Sequence, residues 1–510
     1  MNNTLANSSE SVIFTMKVLF VVSEVFPFAK TGGLADVAGS LPLELSKLGH
    51  DIRVVMPYYR KVTEYLAGNA LPCKLVQSNK EVTLPFGQSL VKSYDLKVWQ
   101  SHFPDNPKVP IYFLDLPEFF DRSDLYVDAS KKGFSDNAQR YAYFSQALDP
   151  FVKGLGWNPE VLHLHDWHTG LVALGVKERT LFADLPPPLT VFTIHNMAYQ
   201  GTFPLVVASE LGLDQQPFAN HTIEGERLNF LKTGIVCADV VTTVSEKYRD
   251  ELLTPEFGYG LEQYLQTRQE SFVGILNGVD YSQWTPRSDL LLPATYSAED
   301  QRGKMICKRE LLTQQGLEPD LSIPTVGMVT RLGWQKGIDL IIEALPTLLE
   351  QRNFYLVFVG TGNVEQEEAL KALGEKYPTK LAVNIAFSNQ LAHLVEAGSD
   401  FFLMPSRYEP CGLNQMYSLR YGTLPIVRNT GGLADTVRDL TKNPTSGNGF
   451  SFEEYEVKAL VGAVERALTY HTSLSTDELA TVRKRVMEED YSWLRSAQKY
   501  HKLYIGLAQK

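Results

Sequence analysis

The residues able to do chemistry sit in a few short stretches. Lys30-Thr31-Gly32-Gly33 follows an apolar run and leads into a helical pattern from about Leu34. Glycines let backbone approach a ligand closely, a helix start offers unpaired amide N–H groups, and Lys30 adds a full positive charge. That combination suits a phosphate or diphosphate, although the spacing is not that of a P-loop; a solvated turn is the bland alternative. Arg331 and Lys336 flank Leu332-Gly333-Trp334-Gln335 between an apolar strand pattern and an amphipathic helix pattern. A forked guanidinium and a compact ammonium at a strand's carboxyl end favour a second anion site. In Pro405-Ser406-Arg407-Tyr408-Glu409-Pro410-Cys411-Gly412-Leu413-Asn414-Gln415, Glu409 stands on a Pro-flanked loop ahead of a helix. A carboxylate there can accept bonds from sugar hydroxyls or act as a polar catalyst. Cys411 has no histidine beside it in sequence and reads as a packing thiol.

The stretch His163-Leu164-His165-Asp166-Trp167-His168 invites a metal reading, but its order is not H-x-H-x-D-H and no H-E-x-x-H occurs elsewhere. A carbohydrate reading fits better, with Asp166 and His168 as hydroxyl partners and Trp167 as an aromatic platform. His195-Asn196 ends another apolar run and in isolation is an ordinary capping pair.

Strands and helices must carry these groups. Apolar runs recur at 18–22, 161–164, 190–194, 240–244 and 273–276, and again at 325–329, 355–359, 381–385, 401–404 and 425–427. Runs that do not alternate suit parallel strands covered on both faces. Helical patterns at 338–350, 365–377 and 457–470 lie between them. The alternation predicts doubly wound α/β sheets, and 510 residues suit two such domains. Open sheets of this kind bind ligands beyond the carboxyl ends of their strands, so two of them would share a central cleft. The seam is expected near Ser271. Residues 1–15 read as a polar tail, 16–271 as an N-terminal Rossmann-like domain, 272–490 as a C-terminal one, and 491–510 as a closing helix. Thr31-Gly32-Gly33-Leu34-Ala35-Asp36 recurs as Thr430-Gly431-Gly432-Leu433-Ala434-Asp435, one copy per half.

Composition excludes other classes. A net charge of −11 gives no global field to hold a polyanion, so no nucleic-acid partner is expected. Cys73, Cys237, Cys307 and Cys411 form no C-x-x-C and read as reduced thiols. No apolar run reaches membrane-spanning length. The first fifteen residues hold no Lys or Arg, unlike a secretory signal or transit peptide, so a cytoplasmic location is expected.

The stretches KTGGLADV, HDWH, TIHNMAYQG, ILNGVD, RLGWQKGIDL and PSRYEPCGLNQ with YGTLPIVRNTGGLADTV resemble, in order and spacing, bacterial glycogen synthase and plant starch synthase. The resemblance implies the GT-B fold: two Rossmann-like doubly wound domains facing a central cleft, with a C-terminal helix returning to the N-terminal domain. It implies retaining transfer of glucose from ADP-glucose to the non-reducing end of an α-1,4-glucan or maltooligosaccharide, with no cofactor, metal or membrane partner. Carried over by residue, Lys30, Gly32 and Gly33 lie near donor phosphate and glucose, and Arg331 and Lys336 hold the leaving diphosphate. Glu409 binds the transferred glucose in a pocket lined by Cys411, Gly412 and Leu413. His195 sits at the anomeric centre and Asn277 in the donor site. Asp36, Asp166, Trp167, His168 and Asn196 meet glucose or the incoming glucan, and Phe387 stacks on adenine.

Two departures stand out. Many retaining transferases of this fold carry a second Glu eight positions after the first, where this chain has Tyr417. Asn414 follows Gly412-Leu413, where bacterial relatives often have Thr and plant ones Ile. The alternatives are a UDP-glucose-dependent transferase, a metal hydrolase built on the histidine stretch, and a silent glucan-binding module.

Overall fold

The computed structural model describes residues 15–84, 92–104, 106–386 and 388–509. The chain divides into two compact units. The first holds the described residues up to Thr242, Leu252–Val273 and those from Leu494 onward; the second holds Thr243–Glu251 and Gly274–Trp493.

Strands of the first unit are β1 (Lys17–Val21), β2 (Asp51–Pro57), β3 (Lys74–Val82), β4 (Tyr94–Phe103), β5 (Asn106–Asp115), β6 (Val161–His165) and β7 (Leu189–Ile194). β8 (Thr202–Pro204), β9 (Ile223–Glu224) and β10 (Arg227–Asn229) form a small separate sheet. β11 (Val240–Thr243) and β12 (Phe272–Gly274) complete a nine-stranded sheet in the order β12-β11-β7-β6-β1-β2-β5-β4-β3. The pairs linking β7, β6, β1, β2 and β5 are parallel, whereas β4 and β3 add antiparallel at the edge. In β1, buried residues follow one another without alternation, as two covered faces require. β3 is mostly exposed and β4 mixes buried with exposed positions, so the apolar-run signal passes over them. The closing helix Trp493–Ala508 buries Tyr500 and Tyr504 in this unit, and Tyr504 Oη lies 2.8 Å from His163 Nδ1 on β6.

The second unit is built on β13 (Thr325–Val329), β14 (Tyr355–Val359), β15 (Leu381–Asn384), β16 (Phe401–Met404), β17 (Leu424–Arg428) and β18 (Phe450–Phe452). Their order is β15-β14-β13-β16-β17-β18, and every neighbouring pair is parallel. Side chains of one strand alternate between the faces. Leu356 and Phe358 pack with Ile338, Ile341 and Leu345 of the helix Ile338–Gln351. Tyr355, Val357 and Val359 pack with Cys307, Leu311 and Leu312 of the helix Arg302–Gln314. A strand read entirely as core is thus lined by helices on both sides.

In each sheet the strand order reverses beside the first strand, between β1 and β6 and between β13 and β16. Loops leaving such strands at their carboxyl ends diverge and open a crevice, the usual ligand position in doubly wound folds.

Candidate functional site

The first half-site is carried by the loops after β1, β6 and β7. β1 leads to Glu24, whose carboxylate is buried. Its Oε2 accepts from the amides of Thr31, at 2.5 Å, and Gly32, at 3.1 Å, while Oε1 accepts from Thr31 Oγ1 at 2.7 Å and Tyr126 Oη at 2.8 Å. The Lys30–Gly33 loop is therefore pinned from beneath, and the helix Gly33–Lys47 begins directly after it. A methyl group added at Gly32 or Gly33 would meet nothing within 4 Å, so both backbones face open space. Lys30 Nζ lies 2.6 Å from Asp36 Oδ1, which unites two sequence candidates in one ion pair. Both ends are partly exposed, and such a pair costs little to exchange for a ligand anion.

Asp166 follows β6 with φ 55° and ψ −177°, a conformation that costs a non-glycine residue about 1–3 kcal/mol. The strain is over-determined. The Asp166 amide donates to Thr193 O at 3.0 Å, and Asp166 Oδ1 accepts from the His195 amide at 2.7 Å. Burial pushes the Asp166 carboxyl up to about 7, against the lowering effect of the His195 and Asn196 amides. Asp166, His195 and Asn196 thus form one knot at the carboxyl ends of β6 and β7. His195 is half-buried, and burial holds its imidazole well below the ordinary histidine range.

Trp167 has a different place from the one its type suggested. Its ring is buried, 4.0 Å from His168 between centroids and edge-on to Tyr141 at 4.9 Å. Gly201 packs so closely on it that a Cβ would come within 2.4 Å. Trp167 therefore supports His168 and presents no open platform. His168 stacks 4.7 Å from Tyr126, the tyrosine that also holds Glu24, so the two loops share a support. His163 and His165 are turned into the core. Among the described residues no group of three or more His, Cys, Asp or Glu could hold a metal ion.

The second half-site lies on β13 and β16, across the point where strand order reverses. Lys336 Nζ is 2.6 Å from Glu409 Oε2, which also accepts from Ser406 Oγ at 3.0 Å. Glu409 Oε1 makes no hydrogen bond among the described residues and remains available as an acceptor. Arg331 is exposed, and its guanidinium has no ion-pair partner among the described residues. Gly337, at φ 71°, must be glycine, since a Cβ would meet Pro405 O at 2.1 Å; this contact fixes the Lys336 turn against the Glu409 loop. Cys411 is buried, and burial pushes its thiol far above the ordinary range, with the Asn277 amide beside it. It is a packing thiol. Asn277 is itself buried, and its Oδ1 has no hydrogen-bond partner among the described residues, an acceptor that a bound donor group would satisfy. Gly412 holds φ 70° ahead of Leu413 and the helix Asn414–Arg420. Phe387 lies outside the described residues.

The repeated Thr-Gly-Gly has split roles. Glu251 accepts from Thr430 Oγ1 at 3.1 Å and from the Gly431 amide at 3.0 Å, as Glu24 does for the first copy. Gly431 and Gly432, however, are covered by the Glu409 loop: Cβ atoms there would meet Glu409 O at 1.9 Å and Cys411 O at 2.1 Å. The first copy faces open space and the second braces a catalytic candidate. Glu24, Tyr126, Ser406 and Glu251 carried no sequence signal as site residues, because a lone carboxylate or hydroxyl at a loop reads as solvated until its tertiary partner is known.

Residues 17–267 match the starch synthase catalytic domain model, and residues 313–477 match that of the glycosyl transferases group 1. A glycogen synthase of Myxococcus xanthus is 45% identical over 497 residues, covering 96% of this chain and 99% of its own. One from Syntrophotalea carbinolica is 43% identical over 496 residues, with coverage of 96% and 98%. Among solved structures, the catalytic domain of starch synthase IV from Arabidopsis thaliana, bound to ADP and acarbose, superposes with a TM-score of 0.85 at 30% identity, covering 98% of this chain and all of that one. A sucrose-phosphate synthase from Thermosynechococcus elongatus shares the fold alone, at TM-score 0.57 and 15% identity. With both half-sites built on doubly wound sheets, and with such identity sustained along nearly the whole chain, the protein belongs to the glycogen synthase family and has its GT-B glycosyltransferase fold.

Proposed function

We propose that the chain transfers glucose from ADP-glucose to the non-reducing end of an α-1,4-glucan with retention of the anomeric configuration. The observation that carries this reading is the Lys336–Glu409 ion pair beside unpartnered Arg331 at the strand-order reversal of the second sheet. A donor diphosphate needs fixed cations where charge grows as the C–O bond breaks, and Arg331 and Lys336 are such cations. Glu409 Oε1 takes a hydroxyl of the departing glucose, and Asn277 contributes its unpaired Oδ1. Lys30 and the Gly32–Gly33 amides approach donor phosphate and glucose, and His195 lies near the anomeric carbon. Asp36, Asp166, His168 and Asn196 receive glucose or the incoming glucan.

Double displacement needs a carboxylate behind the sugar ring. The residue assigned to the anomeric carbon is His195, not a carboxylate; Glu409 reaches the sugar only as a hydroxyl acceptor through Oε1, its Oε2 being paired with Lys336 and Ser406. We therefore favour front-face transfer: the acceptor hydroxyl enters on the leaving-group side and gives its proton to the departing phosphate. Four free cysteines support a cytoplasmic location, where thiols stay reduced.

The test is incubation of the purified protein with ADP-glucose or UDP-glucose plus maltooligosaccharides, reading product length and anomeric form. We expect α-linked extension with ADP-glucose, undiminished after exhaustive EDTA dialysis, because side-chain cations do the work of a divalent ion. Preference for UDP-glucose, inverted product, or loss of activity with EDTA would each overturn the scheme.

A further inference from the structure

Behind His195 runs a file of buried polar side chains that the proposed transfer does not use. Tyr504 Oη lies 2.8 Å from His163 Nδ1, His163 Nε2 lies 2.7 Å from Thr193 Oγ1, and Thr193 Oγ1 lies 2.6 Å from Thr242 Oγ1. The His163 ring stacks on that of His165, with centroids 4.3 Å apart and 30° between planes, and Phe20 stacks on His165 at 5.6 Å and 20°. His165 is fully buried and packs against both rings, which also touch each other, with Phe20 and His163 centroids 4.7 Å apart. Its Nδ1 is 2.9 Å from His195 Nε2, whereas its Nε2 has no hydrogen-bond partner among the described residues.

A neutral imidazole carries one proton, on one of two nitrogens, and the partner of the other nitrogen decides which. Burial keeps both His165 and His195 neutral. A proton on His165 Nε2 would be a buried donor with nothing to meet, and orphaned buried N–H groups are rarer than orphaned acceptors. The proton therefore belongs on Nδ1, where His195 Nε2 accepts it. With Nε2 filled as an acceptor, His195 keeps its own proton on Nδ1.

We infer that His165 is a positioning residue that locks His195 in its Nδ1–H tautomer, leaving that N–H as a donor toward an oxygen of the bound sugar. The inference rests on the placement of His195 at the transferred glucose. Its structural half, the tautomer, is independent of activity.

The test pairs a spectrum with kinetics. In protein labelled with 15N-histidine, long-range proton–nitrogen correlations distinguish a protonated from a bare ring nitrogen, and His195→Gln identifies the resonance. Wild type should show His195 as the Nδ1–H form. His165→Leu should give a mixture of tautomers, and His165→Asn, whose amide N–H reaches where Nδ1 did, should restore the single form. Outer partners of metal-bound imidazoles are typically worth about 10–100-fold, and a partner that fixes the tautomer of a free imidazole is set to the same order. We therefore expect that loss in kcat for His165→Leu with donor KM little changed, and recovery of most of it in His165→Asn. An Nε2–H His195 in wild type, wild-type kcat in His165→Leu, or no rescue by a folded His165→Asn would overturn the inference. Should His165→Leu fail to fold, the wild-type spectrum and His165→Asn still decide. A wild type with the expected tautomer but no glucan extension would instead strike at the glucosyltransferase reading.

Discussion

Arg331 and Lys336 look alike in sequence, two cations in one turn, yet the structure gives them different surroundings. Arg331 is exposed, so Arg331→Ala removes only what it does to a ligand. We expect turnover to fall by about a hundred- to thousandfold, the usual effect of deleting one fixed charge stabiliser, with an unchanged melting temperature. Lys336 also neutralises Glu409, whose side chain is 7% exposed. Lys336→Ala should lose comparable activity and in addition about 1–3 kcal/mol of stability, because a nearly buried carboxylate is left without its cation. The double variant Lys336→Met with Glu409→Gln should recover melting temperature and not activity; equal melting temperatures for the two alanine variants would refute the distinction. The sequence singles out both cations because residue type and strand-end position are local facts. It does not show the pairing of Lys336 with Glu409, seventy-three positions away, or that Lys30 and Asp36 hold each other. Trp167 shows the same limit: an aromatic ring's type is legible, but how it is packed depends on Gly201 and Tyr141, far away in sequence.

Elements were legible in proportion to how completely they are buried. The strands β13, β14 and β16 coincide with uninterrupted apolar runs because both their faces are lined by helices. β3 and β4 were not legible because half their side chains face solvent and read as polar loop. β2 was passed over although its core is as apolar as β1, since Arg53 breaks the run. The Thr-Gly-Gly turns were legible as strand-to-helix connections, but two identical strings predict two identical roles, and the elements passing over them make the roles diverge. A glycine pair tests this. Gly32 has extended backbone and empty space above it. Gly32→Ala should therefore leave the melting temperature unchanged and raise donor KM by roughly tenfold, about 1.4 kcal/mol for one lost close backbone approach. Gly431 holds φ 45° beneath Glu409 O. Gly431→Ala should cost about 2–4 kcal/mol through left-handed strain and overpacking, and should lower kcat by displacing the Glu409 loop. Similar behaviour of the two variants would show that the copies are equivalent after all.

At the scale of the whole molecule, the first unit stores an unusual number of neutral imidazoles. His163, His165 and His168 are buried and held well below the ordinary histidine range by desolvation. His50 is held down to about 4 by burial and by its neighbour His501, whose Nδ1 is 2.8 Å from His50 Nε2. In the unfolded chain each of these titrates near 6.5. Between that value and their native values the unfolded state binds more protons than the folded one, so stability is present above about pH 6.5 and is lost as pH falls. Asp166 opposes them: with its native carboxyl near 7, it stays protonated in the fold and ionises on unfolding through the same window, which favours the fold as pH falls. Five lowered histidines, His195 included, outnumber the carboxyls that burial raises well above their ordinary range, Asp166 here and Glu396 in the second unit, so unfolding takes up protons on balance near pH 5.5. Each proton taken up on unfolding contributes about 1.4 kcal/mol per pH unit to the slope. Calorimetric scans of the protein between pH 7.5 and 5.5 should show a transition that moves steadily downward with acidification. In His50→Gln, which removes one of the titrating groups, the slope should flatten. A melting temperature independent of pH, or one that rises toward pH 5.5, would mean that these rings are already charged in the fold, and the stacked file behind His195 could not then hold the proton arrangement assigned to it.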